Sequence, residues 1–302
     1  MHAPPPDTFL ILQGGGFRTA FTAGVLDAFI AARHHPFTGY LGVSGGSIAL
    51  SYFLSQQYGQ CYKAMRVMAA DPEFVKMSRA MSESGYMDID RLQRVALKTV
   101  PFDLHRALDH VHEKHLEFVL TDRTTGEAAY LCPSASDWVD TVIGSSTLPG
   151  VTKGRHNLAG REYFDGGWSD PLPAQRAIDL GAKHIVVLRT APAAVRLKQS
   201  WPDYFGSLYF RKHPALAQCF ANSHQVYNAS LDLMERPPIG VEIQQIAPEH
   251  VLRSGTYSYS AASLELDYRH GLDAGLRFVH EQRTADNTLA EGPSSVRAVQ
   301  VM

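Results

Sequence analysis

Near its start the chain repeats one unit that narrows the choice of fold: a short apolar run, a tight glycine turn, then apolar residues at helical spacing. Thr8 to Gln13 (TFLILQ) is closed by Gly14, Gly15 and Gly16, and Phe21, Val25, Ala28 and Ala32 follow at spacings of four, three and four. The run reads as a strand and the spacing as one face of a helix. Tyr40 to Val43 is likewise closed by a Ser-Gly turn and leads into a helical segment from about Ser47 to Gln56.

Later runs alternate in the same way. Leu116 to Leu120, Ala128 to Leu131, Glu162 to Phe164, His184 to Leu188 and Val241 to Ile246 read as strands. Helical stretches are predicted around Asp137 to Ile143, from Pro173 to Leu180, from Leu216 to Met234 with Pro237 and Pro238 as the stop, and from about Leu264 to Val279. Strands interleaved with helices predict a single three-layer α/β/α domain with a mainly parallel central sheet over residues 8–283. A Pro-rich arm at 1–7 precedes it, and a mobile tail is expected at 284–302, where apolar periodicity is lost. A length of 302 residues suits one large domain or two smaller ones, but no repeat or low-complexity linker marks a boundary.

With 45% hydrophobic and 19% charged residues the chain belongs among globular proteins, and a net charge of -2 gives no general attraction to nucleic acid. Cys61, Cys132 and Cys219 are odd in number and widely spaced, which predicts small buried hydrophobes in a reducing compartment and no disulfide framework. The first Lys or Arg is Arg18, so no signal peptide is read, and the apolar runs are far shorter than the roughly 20 residues that span a bilayer. A soluble, cytoplasmic protein is expected, able to meet a membrane surface peripherally.

Gly42, Ser44 and Gly46 form G-x-S-x-G between a predicted strand and a predicted helix, the context in which a sharp turn presents a serine nucleophile. Alone, that pattern also describes an ordinary glycine turn. Its neighbour strand ends in Gly14-Gly15-Gly16-Phe17-Arg18, and glycines there let backbone N–H groups approach an oxyanion. A dinucleotide loop fits poorly, because Thr19 replaces the third glycine and the second strand ends in Ser44 with no acidic residue for a ribose. A serine needs a base, and Asp165-Gly166-Gly167, after the strand-like Glu162 to Phe164, supplies a carboxylate on a turn that glycines can aim.

In this order the motifs resemble the patatin-like phospholipases, with their GGGxR loop, GxSxG elbow and later DG[GA] aspartate; Ser145 to Gly150 (SSTLPG) is similar to that family's SSxxPG segment. The resemblance implies a serine lipid acyl hydrolase, of phospholipase A or esterase type, working through a seryl acyl-enzyme without metal or other cofactor. It further implies Ser44 as nucleophile, Asp165 as its partner without a catalytic histidine, and Gly14, Gly15, Gly16 and the N–H of Gly45 as oxyanion hole. Arg18 would orient the loop through a buried ion pair, the favoured role, or bind a lipid phosphate. Two residues depart from the pattern: Thr19 stands where many relatives have glycine, and Gly45 where alanine is common.

The same residues admit other readings. A Ser-His-Asp triad would need His270 or His280, yet only one predicted strand precedes the elbow, too few for an α/β-hydrolase. His110, His112 and His115 lack zincin spacing and read as a solvated helix end. The aromatic stretch from Trp201 to Lys212 reads as core packing beneath a surface loop, with a lid or lipid-facing segment as the alternative; residues 88–104 could roof the site. A catalytically silent lipid-binding protein, or an acyltransferase on the same scaffold, would share the fold.

Overall fold

The computed structural model describes residues 7–79, 85–153 and 155–291; all of the expected arm but Asp7, and residues 292–302 of the expected tail, lie outside them. Strand β1 (Thr8–Leu12) is buried at every position, Leu10 and Leu12 entering one apolar cluster while Phe9 and Ile11 enter another. A strand covered on both faces has no polar side to alternate with, so it appears in sequence as an unbroken apolar run. After it come α1 (Thr19–Ala32), β2 (Gly39–Val43), α2 (Gly45–Leu54), α3 (Gln60–Ala70) and the short α4 (Arg91–Arg94). Then follow α5 (Leu104–Val111), β3 (His115–Asp122), β4 (Ala128–Leu131), α6 (Trp138–Ser145), β5 (His156–Leu158) and β6 (Arg161–Asp165). The chain continues through α7 (Ala174–Asp179), β7 (His184–Leu188), α8 (Trp201–Tyr209), α9 (Pro214–Glu235), β8 (Glu242–Ile246) and α10 (Ala261–Glu291).

The sheet runs β5-β6-β3-β2-β1-β7-β8, with β4 also on β3; β3, β2, β1, β7 and β8 are mutually parallel, and β4, β5 and β6 pair antiparallel. This is the expected three-layer α/β/α arrangement. Successive strands step outward from β1 through β2 to β3, and the chain later returns to the other side of β1 with β7 and β8. Open α/β sheets bind ligands at such a switch point, beyond the carboxyl ends of the strands. Leu12 lies opposite both Gly42 and Leu188, so the segments leaving β1, β2 and β7 emerge at one level of the sheet.

One feature of register matters most for the site. Val119 of β3 lies between Val43 of β2 and Tyr130 of β4, whereas the next residue, Leu120, lies between Ala129 of β4 and Asp165 of β6. A strand residue has only two edges. So β2 ends and β6 takes over on the same edge of β3, which brings the residue after Val43 beside Asp165.

Helices α1 and α10 cross closely through reciprocal glycines: a Cβ on Gly271 would fall 1.9 Å from the Phe21 carbonyl oxygen, and one on Gly24 would fall 2.1 Å from that of Tyr268. Helix α10 also runs through Glu291, past the boundary expected at residue 283. The side chains of 283–287 are exposed, so no packed face imposes an apolar period there, while the backbone remains helical. Cys61 is buried as expected and Cys219 half-buried, but Cys132 is exposed, because it follows β4, whose residues are only partly covered. No helix among the described residues is long and apolar enough to cross a membrane.

Candidate active site

Ser44 sits on the turn between β2 and α2 with φ 54° and ψ −128°, a conformation that a non-glycine residue adopts at a cost of about 1–3 kcal/mol. The turn must be tight on both flanks: a Cβ on Gly46 would lie 2.4 Å from the Leu12 carbonyl oxygen, and one on Gly42 3.0 Å from Ser47 Cα. The strained residue is held in place by its own backbone. Its N–H donates to Ser145 Oγ (2.9 Å), and that hydroxyl donates onward to the Val119 carbonyl (2.7 Å).

At the end of β6, Asp165 is 2% exposed and accepts the Ser44 hydroxyl at Oδ2 (2.5 Å) and the Gly167 N–H at Oδ1 (2.7 Å). Thr121 Oγ1 donates to the Asp165 carbonyl (2.8 Å), and the Asp165 N–H donates to Thr147 O (2.7 Å), so backbone and carboxylate are both fixed. Gly166 lets the turn press onto β3, since a Cβ there would meet Val119 O at 2.2 Å. Burial pushes the carboxyl up to about 6, against the opposing pull of the hydrogen bonds from Ser44 and Gly167.

The glycine loop faces this pair across the end of β1. Thr190, just past β7, donates its hydroxyl to the Gly14 carbonyl (2.6 Å), while its N–H donates to Gln13 Oε1 (3.0 Å). The Gly15 carbonyl accepts from Arg18 N (3.1 Å) and from Arg18 Nε (3.3 Å). In a trans peptide the carbonyl and the following N–H point in opposite directions. Pinning the carbonyls of Gly14 and Gly15 therefore directs the N–H groups of Gly15 and Gly16 away from Thr190 and Arg18. Among the described residues no protein acceptor takes the N–H of Gly14, Gly15 or Gly16. Gly45, first in α2, has no acceptor within its own helix.

Two cavities meet at Ser44. The larger, about 320 Å³, is lined by the glycine loop, Arg18, Asp165, Lys198 and Tyr227. The other, about 70 Å³, is mostly apolar and runs past Phe17, Ile48, Met65, Met68, Phe74 and Met87. Arg18 has no carboxylate partner among the described residues, contrary to the ion pair expected for it. Its backbone contact suffices to orient the loop, and the guanidinium, its affinity for the proton lowered by burial, borders the larger cavity.

The family profile described as patatin-like phospholipase matches residues 10–178, more than half of the chain. The chain belongs to the patatin-like phospholipase family. A second profile, a domain of unknown function called DUF6363, matches residues 213–286. The uncharacterized protein YjjU of Escherichia coli (strain K12) is 30% identical over 275 residues, spanning 89% of this chain and 76% of that protein. The crystal structure of VipD from Legionella pneumophila aligns with 92% of this chain and 67% of that one, at 14% identity and a TM-score of 0.45.

The two departures from the patatin-like pattern face each other. A Cβ on Gly45 would lie 2.3 Å from Thr19 Oγ1, so the threonine hydroxyl fills the room that an alanine methyl would need. Gly45→Ala alone is expected to cost about 1–3 kcal/mol of stability, as overpacked sites do, and Thr19→Gly in the same chain should restore it. Urea denaturation of the two single variants and the double variant measures this; simple additivity would mean that the positions are not coupled.

Ser44, Asp165, Gly14, Gly15, Gly16, Gly45 and Arg18 all border this site, as their motifs suggest. The histidines of the alternative triad do not. His270 stacks on His250 (4.6 Å between centroids) and meets Phe21 edge-on, and His280 is exposed on α10. His110 instead contacts Tyr40 Oη (3.2 Å), and among the described residues no group of three or more His, Cys, Asp or Glu is placed to hold a metal. Of residues 88–104, Ile89 reaches the apolar cavity, while Leu92, Val95 and Ala96 are buried. Thr121 and Thr190 carry no motif, and only the folded chain brings their hydroxyls onto the carbonyls of Asp165 and Gly14.

Proposed function

We propose that this member of a lipid hydrolase family cleaves carboxylic esters of lipids or small acyl esters through a seryl acyl-enzyme. The observation that carries the reading is the 2.5 Å hydrogen bond from Ser44 Oγ to a buried Asp165, on a strained turn that opens into both cavities. Asp165 Oδ2 takes the hydroxyl proton as Ser44 Oγ bonds to the ester carbonyl. The negative charge that develops on the carbonyl oxygen is met by the N–H groups of Gly14, Gly15, Gly16 and Gly45. Collapse expels the alcohol, which leaves with the proton from Asp165; water then attacks the acyl-enzyme with Asp165 again as base, and the Ser44 Oγ–acyl bond breaks to release the acid as that proton returns to Ser44.

An exposed aspartate is a weak base for a serine. Desolvation that raises its carboxyl to about 6 narrows the mismatch while leaving it ionised at neutral pH. The apolar cavity suits the acyl chain and the larger one the alcohol side, where Arg18 is placed to meet a phosphate. At about 70 Å³ the acyl cavity is less than half the roughly 150 Å³ of an engineered apolar cavity that holds benzene.

With p-nitrophenyl esters of increasing chain length, turnover is therefore expected to peak at short acyl chains, and a fluorophosphonate should modify the peptide that contains Ser44. Folded protein that neither turns over any ester nor takes the label would leave lipid binding without catalysis as the better reading.

A further inference from the structure

Helix α8 turns its apolar side to solvent. Trp201, Tyr204, Phe205 and Leu208 recur at i, i+3, i+4 and i+7, the stripe that a surface helix ordinarily buries. They are 75%, 50%, 59% and 46% exposed, and the adjoining Tyr209 is 82% exposed. This overturns the expectation of core packing for the aromatic stretch, in which, among the described residues, only Phe210 is fully inside. The physical reason lies on the other face, where Gly206 lets α8 press against α9: a Cβ there would fall 2.4 Å from the Phe220 ring. Phe210 then stacks on Phe220 (5.2 Å). The rings of Trp201, Tyr204 and Phe205 lie between 5.8 and 6.4 Å from one another, forming one contiguous patch. Patches of this kind mark interaction surfaces.

The patch adjoins the site. Leu197, Lys198 and Ser200, which lead into α8, line the larger cavity. That lead-in is anchored: fully buried Arg189 donates to the Ala193 carbonyl (2.9 Å), Arg196 pairs with Asp232 and Glu235, and Leu197 N donates to Asn228 Oδ1 (2.9 Å). The segment lies between the two profile matches, 10–178 and 213–286, so neither assigns it a role.

Its chemistry selects one occupant. Trp and Tyr favour the level of lipid head groups, where an apolar ring and a polar tip are both satisfied. Lys198, Arg211 and Lys212 are exposed and pair with no carboxylate among the described residues, so the rim of the patch is basic. A second copy of this chain would cover the rings but bring like charges together, whereas an anionic bilayer satisfies rings and cations at once. We infer that α8 docks the protein on the surface of an anionic lipid bilayer, with the mouth of the Ser44 cavity at the membrane. The catalytic meaning of that orientation rests on the function proposed above, but the docking itself does not require turnover.

Sedimentation with phosphatidylcholine vesicles, with and without phosphatidylglycerol, tests this on the full chain. Wild type and Ser44→Ala are expected to bind the anionic vesicles alike and to be released by salt. The Trp201→Ala/Phe205→Ala variant should lose at least about tenfold in partitioning, and Arg211→Glu/Lys212→Glu should lose the salt-sensitive part. Both should keep the wild-type circular dichroism spectrum and melting temperature, which shows that they are folded, and should hydrolyse a soluble short-chain ester as wild type does. Wild type that ignores anionic vesicles, ring variants that bind undiminished, or a wild-type dimer that the ring variant dissociates would each overturn the inference. Absence of ester turnover in all of these proteins would instead count against the hydrolase reading, with vesicle binding still decisive for docking.

Discussion

Asp165→Asn is expected to lower ester turnover by about a thousandfold or more, and Ser44→Ala to do the same, while both proteins stay folded. An amide in place of the carboxylate keeps the shape and the hydrogen bond from Gly167 but cannot take the serine proton. The pH profile gives a separate signature. Because burial holds the Asp165 carboxyl at about 6, wild-type activity should be present above that pH and fall away as pH drops through it. The Asn variant should show residual activity without that acid limb.

Stability runs the other way. The folded carboxyl is raised above its ordinary value, so its ionised form at neutral pH opposes folding, and the opposition disappears as pH falls through about 6 toward the unfolded value. At neutral pH Asp165→Asn should therefore melt no lower than wild type. A melting temperature several degrees lower would mean that its lost activity reports damage to the fold.

Gly14→Ala is expected to reduce turnover by about a hundredfold or more, in the range for losing an oxyanion donor. The added Cβ would stand 2.6 Å from Ser44 Cβ and 3.0 Å from the Val43 carbonyl oxygen, so either the nucleophile or the glycine loop must move. Thr190 and Arg18 pin the loop's carbonyls from the far side, which leaves little room to retreat. Steady-state kinetics should place the loss in kcat, with fluorophosphonate labelling slowed in parallel. A change confined to KM would show that the loop binds substrate without stabilising the transition state.

The alternation of apolar runs with helical spacing was enough to read the layers of the fold, because strands covered on both faces and helices covered on one leave different periods. The strand His184–Leu188 and the elbow around Ser44 were both legible. The supports were not. Thr121 and Thr190 act through single hydroxyls whose partners, Asp165 and Gly14, are 44 and 176 residues away, and no local pattern announces such a pairing. Helix α8 departs from the sequence expectation for a related reason: its spacing marks one apolar face, and only the close approach of Gly206 to Phe220 decides which way that face points. Thr19 and Gly45 read in the sequence as two separate departures, and only the fold puts them in one shared side-chain space.

The handover on the edge of β3 makes the catalytic spacing a matter of adjacent rungs on one ladder. Between nucleophile and base the chain runs 121 residues, yet their separation is set by Val119 and Leu120, which are neighbours. The turn at Thr124–Gly126 and the mostly exposed linker 132–137 between β4 and α6 can thus be lengthened, shortened or interrupted without changing that spacing, whereas Ser145 and Thr147, which hold Ser44 and Asp165, cannot be moved. A slip of one residue in β6 cannot be absorbed, since it would turn the carboxylate to the opposite face of the sheet. Descendants of this scaffold have a region in which to graft new recognition elements, and a ladder position that must stay as it is.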